Sequence, residues 1–529
     1  MSETWHTSAD VLVIGGGPAA CWAAIHAVEA GAEVTLVDKG YCGTSGATAP
    51  SGTGVWYVAP EAEARASAKA AREALGGHLA DHHWMDRVLD QTYTNMNRLA
   101  VEGRYPFPVD PASGEPLRTG VQGPEYMRRM RAWLQRIGVR ILDHSPALEL
   151  LVDETGAVRG AAGHQRQLDR DYRITAGAVV LASGGCAFLS GALGTNVDTG
   201  DGALLAAEVG ARFSGMEFSN AYAIVPKGST ITKTAYYGYA TFFGEDGRVL
   251  EDAGSTRGRS VIARNLLREK VFAQLDRADA TVQAQMRVGQ PNFFLQFDRR
   301  GIDPFTQRFE IDLLAEGTVR GTGGVDIVDD ECATTVPGLY AAGDAATRER
   351  ICGGFTGGGS HNAAWAMSSG SWAGAGAARY ARAAAGGGQL TGAGRVGLRP
   401  SGSGSLTAAE VVAAAKAELI PFEKNYLRHG DRLRPALARL DELWAAAAAG
   451  LGGATGDERI RARQAAAITA VGRLMYRSTL SRTESRGMSK RGDHPELDPA
   501  QHHHVLAGGL DAPWTGTAET RNSGLAVAS

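Results

Sequence analysis

The chain has 529 residues, 44% hydrophobic and 21% charged, which is enough for two or three domains with large buried cores. A formal net charge of -3, with Lys and Arg interspersed among acids, argues against nucleic-acid partners. No apolar run reaches the roughly 20 residues that a membrane helix needs, so we expect a soluble, cytoplasmic protein without a membrane span.

The first forty residues predict a dinucleotide-binding βαβ unit. One apolar strand ends at Gly15 and a second ends at Asp38. The first strand must turn sharply at Gly15, a pyrophosphate must approach the backbone at Gly17, and the following helix must pack on the strand at a small residue, Ala20. The helix N-terminus attracts the phosphates, and Asp38 is placed to bind a ribose hydroxyl. These features predict a cofactor that contains adenosine.

The next elements continue an α/β pattern. Residues 43–54 are mostly small, which suits backbone lying close to a flat ligand. Helical periodicity covers 61–104 and 125–137, and short strands are predicted over 139–161. A buried strand over 178–185 then ends in glycines, as a dinucleotide domain requires when its ligand spans the carboxyl edge of the sheet.

A third strand that ends in glycine comes at 338–346, so the nucleotide-binding domain is interrupted. The intervening aromatic-rich residues predict a cap, and a stretch rich in Gly, Ala and Ser predicts a linker before the final helices. The expected fold class is α/β, with a Rossmann-like domain at 1–215 and 331–385, an α+β capping domain at 216–330, a flexible linker at 386–407, and a C-terminal helical region at 408–529 whose last fifteen or so residues form a disordered tail.

Six motifs, in this order, resemble the flavoprotein family of succinate dehydrogenase and fumarate reductase, which also includes L-aspartate oxidase and the adenylylsulfate reductase flavoprotein subunit. They extend over nearly the whole chain. The motifs are GGGPAA at 15–20, ASGG at 182–185, TGDG at 199–202, TGGV at 322–325, PGLYAAGD at 337–344 and RTESRG at 482–487.

The resemblance implies FAD as the cofactor. It places Asp344 at the ribityl chain, and it directs the N-terminus of a helix that begins near 359–362 at the N1/O2 edge of the flavin. The dipole of that helix would stabilise the negative charge of reduced flavin. The candidate cofactor-binding residues are Gly15, Gly17, Pro18, Ala19, Ala20, Asp38, Lys39, Thr44, Ser45, Gly46, Ala47, Ser183, Gly184, Asp201, Gly343, Asp344, Ser360, His361 and Asn362.

Two departures from the family pattern bear on the chemistry. Gly46 stands where succinate dehydrogenases carry the histidine that binds FAD covalently, so we expect noncovalent FAD. The family's clamp for a dicarboxylate resembles two histidines and two arginines, of which Arg264 alone matches; the other positions fall near Val319, Gly353 and Gly357. Each lost carboxylate contact would remove about 1.5 to 3 kcal/mol, so succinate and fumarate are not the expected substrates.

The leading hypothesis is an FAD-dependent dehydrogenase or reductase that makes or reduces a C=C bond next to the carboxyl or carbonyl group of a small organic metabolite. Hydride would pass through flavin N5. The resemblance implies Arg264 as the proton donor, and His361 at a helix start is a second catalytic candidate. Tyr222, Tyr237 and Arg320 are candidate substrate-binding residues.

Two other functions are open. The small-residue run 368–374 is similar to one in adenylylsulfate reductases, which form a flavin-sulfite adduct and need an iron-sulfur partner subunit. A flavin-bearing interaction subunit without its own substrate is the third hypothesis. An electron-transfer partner or a homo-oligomer is compatible with each of them.

A resident metal is not expected. The five cysteines show no CxxC spacing, so we interpret them as reduced, buried thiols. The contiguous histidines 502–504, together with His494, invite a metal hypothesis, but three neighbouring histidines cannot easily all face one ion.

Overall fold

The computed structural model describes residues 4–110, 113–232, 234–356, 358–384, 388–400, 402 and 406–519. The chain up to residue 214 builds most of a large central sheet and the helices beside it. The strands of this part of the chain are β1 (Trp5–Ile14), β2 (Val34–Val37), β3 (Gly52–Gly54), β4 (Gly120–Gln122), β5 (Arg140–Leu142), β6 (Ala147–Val152), β7 (Val158–Gln165), β8 (Arg170–Leu181) and β9 (Phe213–Ser214). Its helices are α1 (Pro18–Glu29), α2 (Ala62–Glu73), α3 (His82–Val101), α4 (Gly123–Arg136) and α5 (Asp201–Glu208).

The cap that follows is a separate antiparallel sheet with its own helices. Its strands lie in the order β10-β13-β12-β11, and phenylalanine rings from α8 and β13 pack together in its core. The elements are β10 (Ala221–Pro226), β11 (Thr241–Phe243), α6 (Arg259–Leu266), β12 (Val271–Gln274), α7 (Ala280–Gly289), α8 (Pro291–Arg300) and β13 (Phe309–Glu316).

The chain then returns to the central sheet and ends in a mainly helical region. Short 3-10 helices occupy Thr195–Val197, Met216–Phe218, Thr234–Tyr239, Gly343–Ala345 and Pro499–Gln501. The remaining elements are α9 (Gly317–Arg320), β14 (Gly324–Val325), β15 (Leu339–Ala341), α10 (Glu349–Cys352), α11 (Gly358–Ala383), β16 (Thr391–Gly392), α12 (Ala408–Leu419), α13 (Phe422–Asn425), α14 (Gly430–Gly450), α15 (Gly456–Ser481), β17 (His503–Gly508) and β18 (Trp514–Glu519).

The central sheet has the order β16-β6-β7-β8-β1-β2-β5, and β15 also pairs with the end of β8. Strands β1, β2, β5, β8 and β15 are parallel neighbours, and the ends of β1 and β8 are fully buried apolar runs. Such runs are typical of parallel strands that are covered on both faces. The α/β fold class, with an inserted α+β cap and a helical C-terminal region, is confirmed.

Helices α1 and α11 lie in backbone contact on one face of this sheet. A Cβ added to Gly370 would lie 2.4 Å from the carbonyl oxygen of Ala19, and one added to Gly374 would lie 2.0 Å from that of Ala23. The small-residue run 368–374 therefore has a packing role in this chain, because any larger side chain at either glycine would push the helices apart.

Four buried residues form an ionic junction between the start of the cap and the C-terminal region: Glu217, Arg482, Glu484 and Arg486. None is more than 2% exposed. Arg482 Nε lies 2.9 Å from Glu217 Oε1, and Arg482 Nη1 lies 2.8 Å from Glu484 Oε1. Arg486 Nη2 donates to Glu484 Oε2 at 3.0 Å. The RTESRG motif thus supplies three of the four charges in this junction.

Two segments differ from their sequence-based predictions. In the described part of the predicted flexible linker, β16 pairs with β6, Val396 is 5% exposed, and Arg399 Nη1 lies 2.7 Å from Glu149 Oε2. The small residues that suggested flexibility instead let this backbone lie close to the sheet edge. The predicted disordered tail is also wrong in part, because β18 forms a hairpin with β17; residues 520–529 lie outside the described range.

Among the described residues, no helix is both long enough and apolar enough to cross a bilayer. The five cysteines are buried and free. Within the same part of the chain, no group of three or more His, Cys, Asp or Glu side chains is placed to hold a metal ion. His504 instead lies with Nδ1 2.8 Å from Glu349 Oε2.

Candidate cofactor and substrate site

A cleft of about 1330 Å³, partly open to solvent, runs along the carboxyl ends of the parallel strands. Segments that follow β1, β8 and β15 line it, at residues 15–19, 182–184 and 343–344. Residues of the small-residue segment 45–53 and of the first turns of α11 also line it. A ligand crevice outside the carboxyl ends of the strands is the usual binding position in open α/β sheets.

The turn after β1 has the geometry expected of a pyrophosphate-binding turn. Gly15 has φ +123°, and a Cβ there would lie 2.1 Å from the carbonyl oxygen of Ala182. Gly17 caps α1, and a Cβ on it would meet nothing within 4 Å. The N-terminus of this 12-residue helix therefore faces open space in the cleft, where backbone N–H groups and the helix dipole attract anions.

Acidic and basic side chains define one end of the cleft. Asp38, which is 6% exposed, accepts hydrogen bonds from Ser45 Oγ at 2.9 Å and from the backbone N–H of Gly40 at 3.2 Å. Burial raises the pKa of Asp38. Lys39 Nζ lies 2.6 Å from Asp201 Oδ2, so the cation beside Asp38 is already neutralised. This arrangement suits the ribose and adenine of a dinucleotide.

A buried arginine organises the middle of the cleft. Arg348, 1% exposed, forms an ion pair with Asp344 and donates to the carbonyl oxygens of Thr318 and Val319 at 3.1 and 3.2 Å. Burial raises the pKa of Asp344, and Arg348 opposes that shift. Arg348 thereby fixes both Asp344 and the turn that carries Arg320, which lines the cleft.

Helix α11 fixes the far end of the cleft. Trp365 Nε1 donates to the carbonyl oxygen of Gly343 at 3.0 Å, and Ser369 Oγ accepts from the N–H of Gly343 at 2.9 Å. Asn362 and Ala363, in the first turns of α11, line the cleft. The helix N-terminus is therefore held beside the third glycine-bearing turn.

His361 belongs to a compact cluster next to this helix start. It is 6% exposed and stacks on Trp56, with ring centroids 4.3 Å apart. Arg72 Nε donates to His361 Nε2 at 3.1 Å, and Ser360 Oγ lies 3.1 Å from His361 Nδ1. Arg72 Nη2 also lies 3.0 Å from His361 Nδ1, and because a guanidinium only donates, the ring nitrogen that accepts from Arg72 carries no proton.

The cap closes on the cleft through neutral polar side chains. A Cβ on Gly52 would lie 2.2 Å from Gln290 Nε2, so the side chain of Gln290 lies directly over the small-residue segment. Gln122 Nε2 donates to the carbonyl oxygen of Gly289 at 3.0 Å, and Asn292 Nδ2 donates to that of Pro50 at 3.3 Å. No charged side chain takes part in these three contacts.

The structure brings most of the sequence-predicted cofactor residues together in the cleft lining, along with Arg320. Ala20 is instead a fully buried residue within α1, Thr44 is exposed and bonds within its own turn, and Ser360 and His361 lie beside the lining. The predicted residues in the lining are Gly15, Gly17, Pro18, Ala19, Asp38, Lys39, Ser45, Gly46, Ala47, Ser183, Gly184, Asp201, Gly343, Asp344 and Asn362.

Three predicted substrate or catalytic residues lie elsewhere. Tyr222 is 2% exposed and its hydroxyl donates to the carbonyl oxygen of Ile420 at 2.9 Å, so it joins the cap to the C-terminal region. Tyr237 is 1% exposed and packs among phenylalanine rings in the cap core. Arg264 is exposed on α6, whereas Arg259 on the same helix turns inward and donates to the carbonyl oxygen of Tyr222 at 2.6 Å.

Sequence reasoning missed several residues that shape the cleft. Asp198 lines it and directly precedes the TGDG motif, and Arg348 follows Asp344 by four residues, so adjacency to motifs was the available signal. Arg72 and Gln290 come from distant segments and had no such signal. Gly357, predicted to replace a clamp arginine, lies outside the described residues.

Three buried polar atoms in the lining test whether FAD fits. Ser183 Oγ, Asp198 Oδ2 and Asn362 Oδ1 have no hydrogen-bond partner among the described residues. Buried polar atoms in folded proteins are nearly always hydrogen-bonded. These atoms come from three separate segments of the lining, so a long ligand with hydroxyl, phosphate and ring nitrogen groups fits them, as FAD does.

Comparisons with known proteins agree with this site. The family model described as an FAD binding domain matches residues 10–231, and one described as the fumarate reductase flavoprotein C-terminus matches residues 423–514. L-aspartate oxidase of Streptomyces coelicolor is 27% identical over 379 residues, which are 65% of this chain and 64% of that protein. The match thus spans a little less than two thirds of that relative.

Solved structures share the fold at low identity. FrdA of E. coli quinol fumarate reductase superposes with a TM-score of 0.83 at 20% identity, covering 98% of this chain and 97% of that one. Adenylylsulfate reductase from Archaeoglobus fulgidus gives 0.75 at 18% identity, covering 98% and 96%.

The fold and the matches define an FAD-binding flavoprotein. The chain is similar to the flavoproteins of succinate dehydrogenase, fumarate reductase and aspartate oxidase, which are FAD-dependent oxidoreductases. The predictions of this family and of FAD as the cofactor are therefore confirmed.

Proposed function

We propose that this chain uses noncovalently bound FAD to make or reduce a C=C bond next to the single carboxyl or carbonyl group of a small organic metabolite. Asp38 marks the adenosine end of the cleft, so the flavin ring belongs at the other end, under the cap. Lys39 and Arg320 are the positively charged side chains among the described lining residues, and Lys39 is at the adenosine end. The observation that carries the proposal is that Arg320 is the positively charged side chain of the described lining at the flavin end.

The charge at the flavin end supports a substrate with one anionic group. Arg320 is the cation there, and its nearest acidic contact is long, 3.6 Å from Nε to Glu316 Oε1. The cap contributes Gln290 and Asn292. The substrates named in the relatives, L-aspartate and fumarate, carry two carboxylates, and a second carboxylate would lack a charged partner in this lining.

When bound, FAD supplies the hydride acceptor or donor. The chain's residues do the rest. Arg320 binds and orients the carboxylate or carbonyl oxygen. His361, which lies beside the lining and is held by Arg72, is the proposed base; it takes up a substrate proton at a ring nitrogen that releases its hydrogen bond from Arg72. Trp56 and the cap residue Gln290 exclude water, which strengthens each of these electrostatic contacts.

The proposal is tested by an anaerobic screen that follows flavin absorbance. Saturated and unsaturated short-chain acids with one carboxyl group, and the matching carbonyl compounds, are added to oxidised and to reduced protein. We expect at least one of them to reduce or reoxidise the flavin, and succinate and fumarate to do neither. A rapid response to succinate or fumarate would contradict the proposal. Sulfite is a separate arm, because a bleached adduct with AMP formation would favour the adenylylsulfate reductase-like alternative.

Arg320→Gln is the matching variant. Losing the charge-assisted contact should raise KM at least tenfold while flavin content stays unchanged. Arg264→Gln is its control, since the exposed Arg264 should leave KM unchanged.

Noncovalent attachment rests on Gly46, which lines the cleft and offers no side chain for a bond to flavin. Acid precipitation should leave the flavin in the supernatant. Flavin that stays on the precipitated polypeptide would contradict it.

A further inference from the structure

Asp198 is a buried carboxyl group in the cofactor cleft for which neither the family motifs nor the proposed reaction has a use. It is 4% exposed, lines the cleft, and its Oδ2 has no hydrogen-bond partner among the described residues. An orphaned buried oxygen of this kind costs free energy unless a ligand satisfies it.

The backbone holds Asp198 firmly in this position. Its N–H donates to the carbonyl oxygen of Thr195 at 3.0 Å, and its carbonyl oxygen accepts from the N–H of Ala187 at 2.9 Å. Gly184, at φ +75°, leaves the room that the carboxyl group occupies, because a Cβ there would lie 2.4 Å from Asp198 Oδ1. The placement is thus built into two segments of the fold.

The surroundings of Asp198 disfavour a negative charge. Asp38, Asp201 and Asp344 face it from the turn after β2, from α5 and from the turn after β15, and Lys39 is the cation that opposes them. Lys39 is already paired with Asp201 at 2.6 Å. Burial and these acids raise the pKa of Asp198 well above its usual range. The phosphates of a bound dinucleotide would add further negative charge to the same cleft.

We propose that Asp198 is a neutral carboxylic acid that donates a hydrogen bond to FAD, and so makes the affinity for FAD depend on pH. A carboxyl group kept neutral by its site becomes a donor that a carboxylate cannot be. Raising the pH removes the proton, which replaces a hydrogen bond with repulsion between Asp198 and the cofactor. Asp198 is then a positioning and selectivity residue for the cofactor.

The test is the dissociation constant of FAD, measured by flavin fluorescence on full-length protein freed of flavin and reconstituted between pH 6 and 9.5. Wild-type protein should lose tenfold or more in affinity towards the alkaline end. Asp198→Asn, which keeps a neutral donor, should bind FAD within about fivefold of wild type at pH 6 and show no pH dependence. Asp198→Val should bind at least tenfold more weakly at pH 6.

Several outcomes would overturn the proposal. A wild-type affinity for FAD that is the same at every pH would contradict it. So would an Asp198→Asn variant that binds FAD more tightly than wild type at every pH, or one that keeps the wild-type pH profile. The last would assign the titration to Asp38 or Asp344. Infrared difference spectra give a readout that does not depend on affinity: subtracting the spectrum of the Asp198→Asn holoprotein from that of wild type should leave the C=O stretch of one protonated carboxyl group.

Discussion

The cofactor cleft and the ionic junction are both buried, but they are built in opposite ways. Backbone turns shape the cleft, and its glycines follow directly after strands β1, β8 and β15. The ionic junction is shaped by charged side chains, and Glu217 lies 265 residues from its partner Arg482. The cleft therefore depends on glycines, which leave space because they have no side chain. The ionic junction depends on buried acidic and basic side chains that neutralise each other's charge.

The largest expected effect is at the ionic junction. Arg482→Met leaves the buried Glu217 without its cation and Glu484 with Arg486 alone. Breaking a buried pair in this way costs about 3 to 5 kcal/mol. The free energy of unfolding in urea should fall by that amount. Arg128→Met is the control, because the exposed Arg128–Glu125 pair should contribute less than about 1 kcal/mol.

The second effect is in the cleft and should leave the junction intact. Gly15→Ala places a Cβ 2.1 Å from the carbonyl oxygen of Ala182 and forces alanine to φ +123°. The turn must shift, so affinity for FAD should fall by about 100-fold or more, equal to about 3 kcal/mol. Gly138→Ala has a similar strained φ of +83° without a close neighbour, and it should keep full flavin content. Equal flavin loss in both variants would show that strain alone, not the close approach, accounts for the effect.

The third effect is a pH dependence specific to the junction. Burial raises the pKa of Glu217 to about 7, with Arg482 opposing the shift and Glu349 adding to it. The folded state therefore holds the proton more tightly than the unfolded state. This contribution to stability is complete below about pH 4.3 and is lost as the pH rises to about 7.

Between pH 5 and pH 8, Glu217 should thus remove about 2 kcal/mol from the wild-type free energy of unfolding. Glu217→Gln, which resembles the protonated acid, should lack this loss in urea titrations at the two pH values. A variant that loses as much as wild type over this range would show that the titration of Glu217 does not account for the loss.

The smallest effect concerns a residue outside both regions. Arg264→Gln changes an exposed side chain on α6 and should alter the free energy of unfolding by less than about 0.5 kcal/mol. Turnover should stay within a factor of two. A loss of several orders of magnitude would restore Arg264 as the proton donor and place the chemistry on the outer side of the cap helix.

The sequence predicted the parts of the molecule that backbone geometry controls. Gly15, Gly184 and Gly343 each follow a buried strand, so spacing predicted the cleft and a cofactor that contains adenosine, while the family resemblance implied FAD. The proposed flavin end was predicted less well: Arg320 was a candidate, but Arg72 and Gln290 come from two distant segments that no local pattern connects to it. Tyr222 and Tyr237 were predicted to bind substrate because aromatic residues occur both in pockets and in cores. In the structure both side chains are buried away from the cleft lining.

The contact between α1 and α11 fixes the distance between these two helices. Gly370 and Gly374 lie against Ala19 and Ala23 with no side chain between the two helices, so atomic radii alone set the gap. One helix begins at the pyrophosphate turn and the other begins under the cap. The two glycines therefore set the distance between the two helix N-termini that face the cofactor cleft. A methyl group at either glycine would push the helices apart and displace both ends of the cofactor site together.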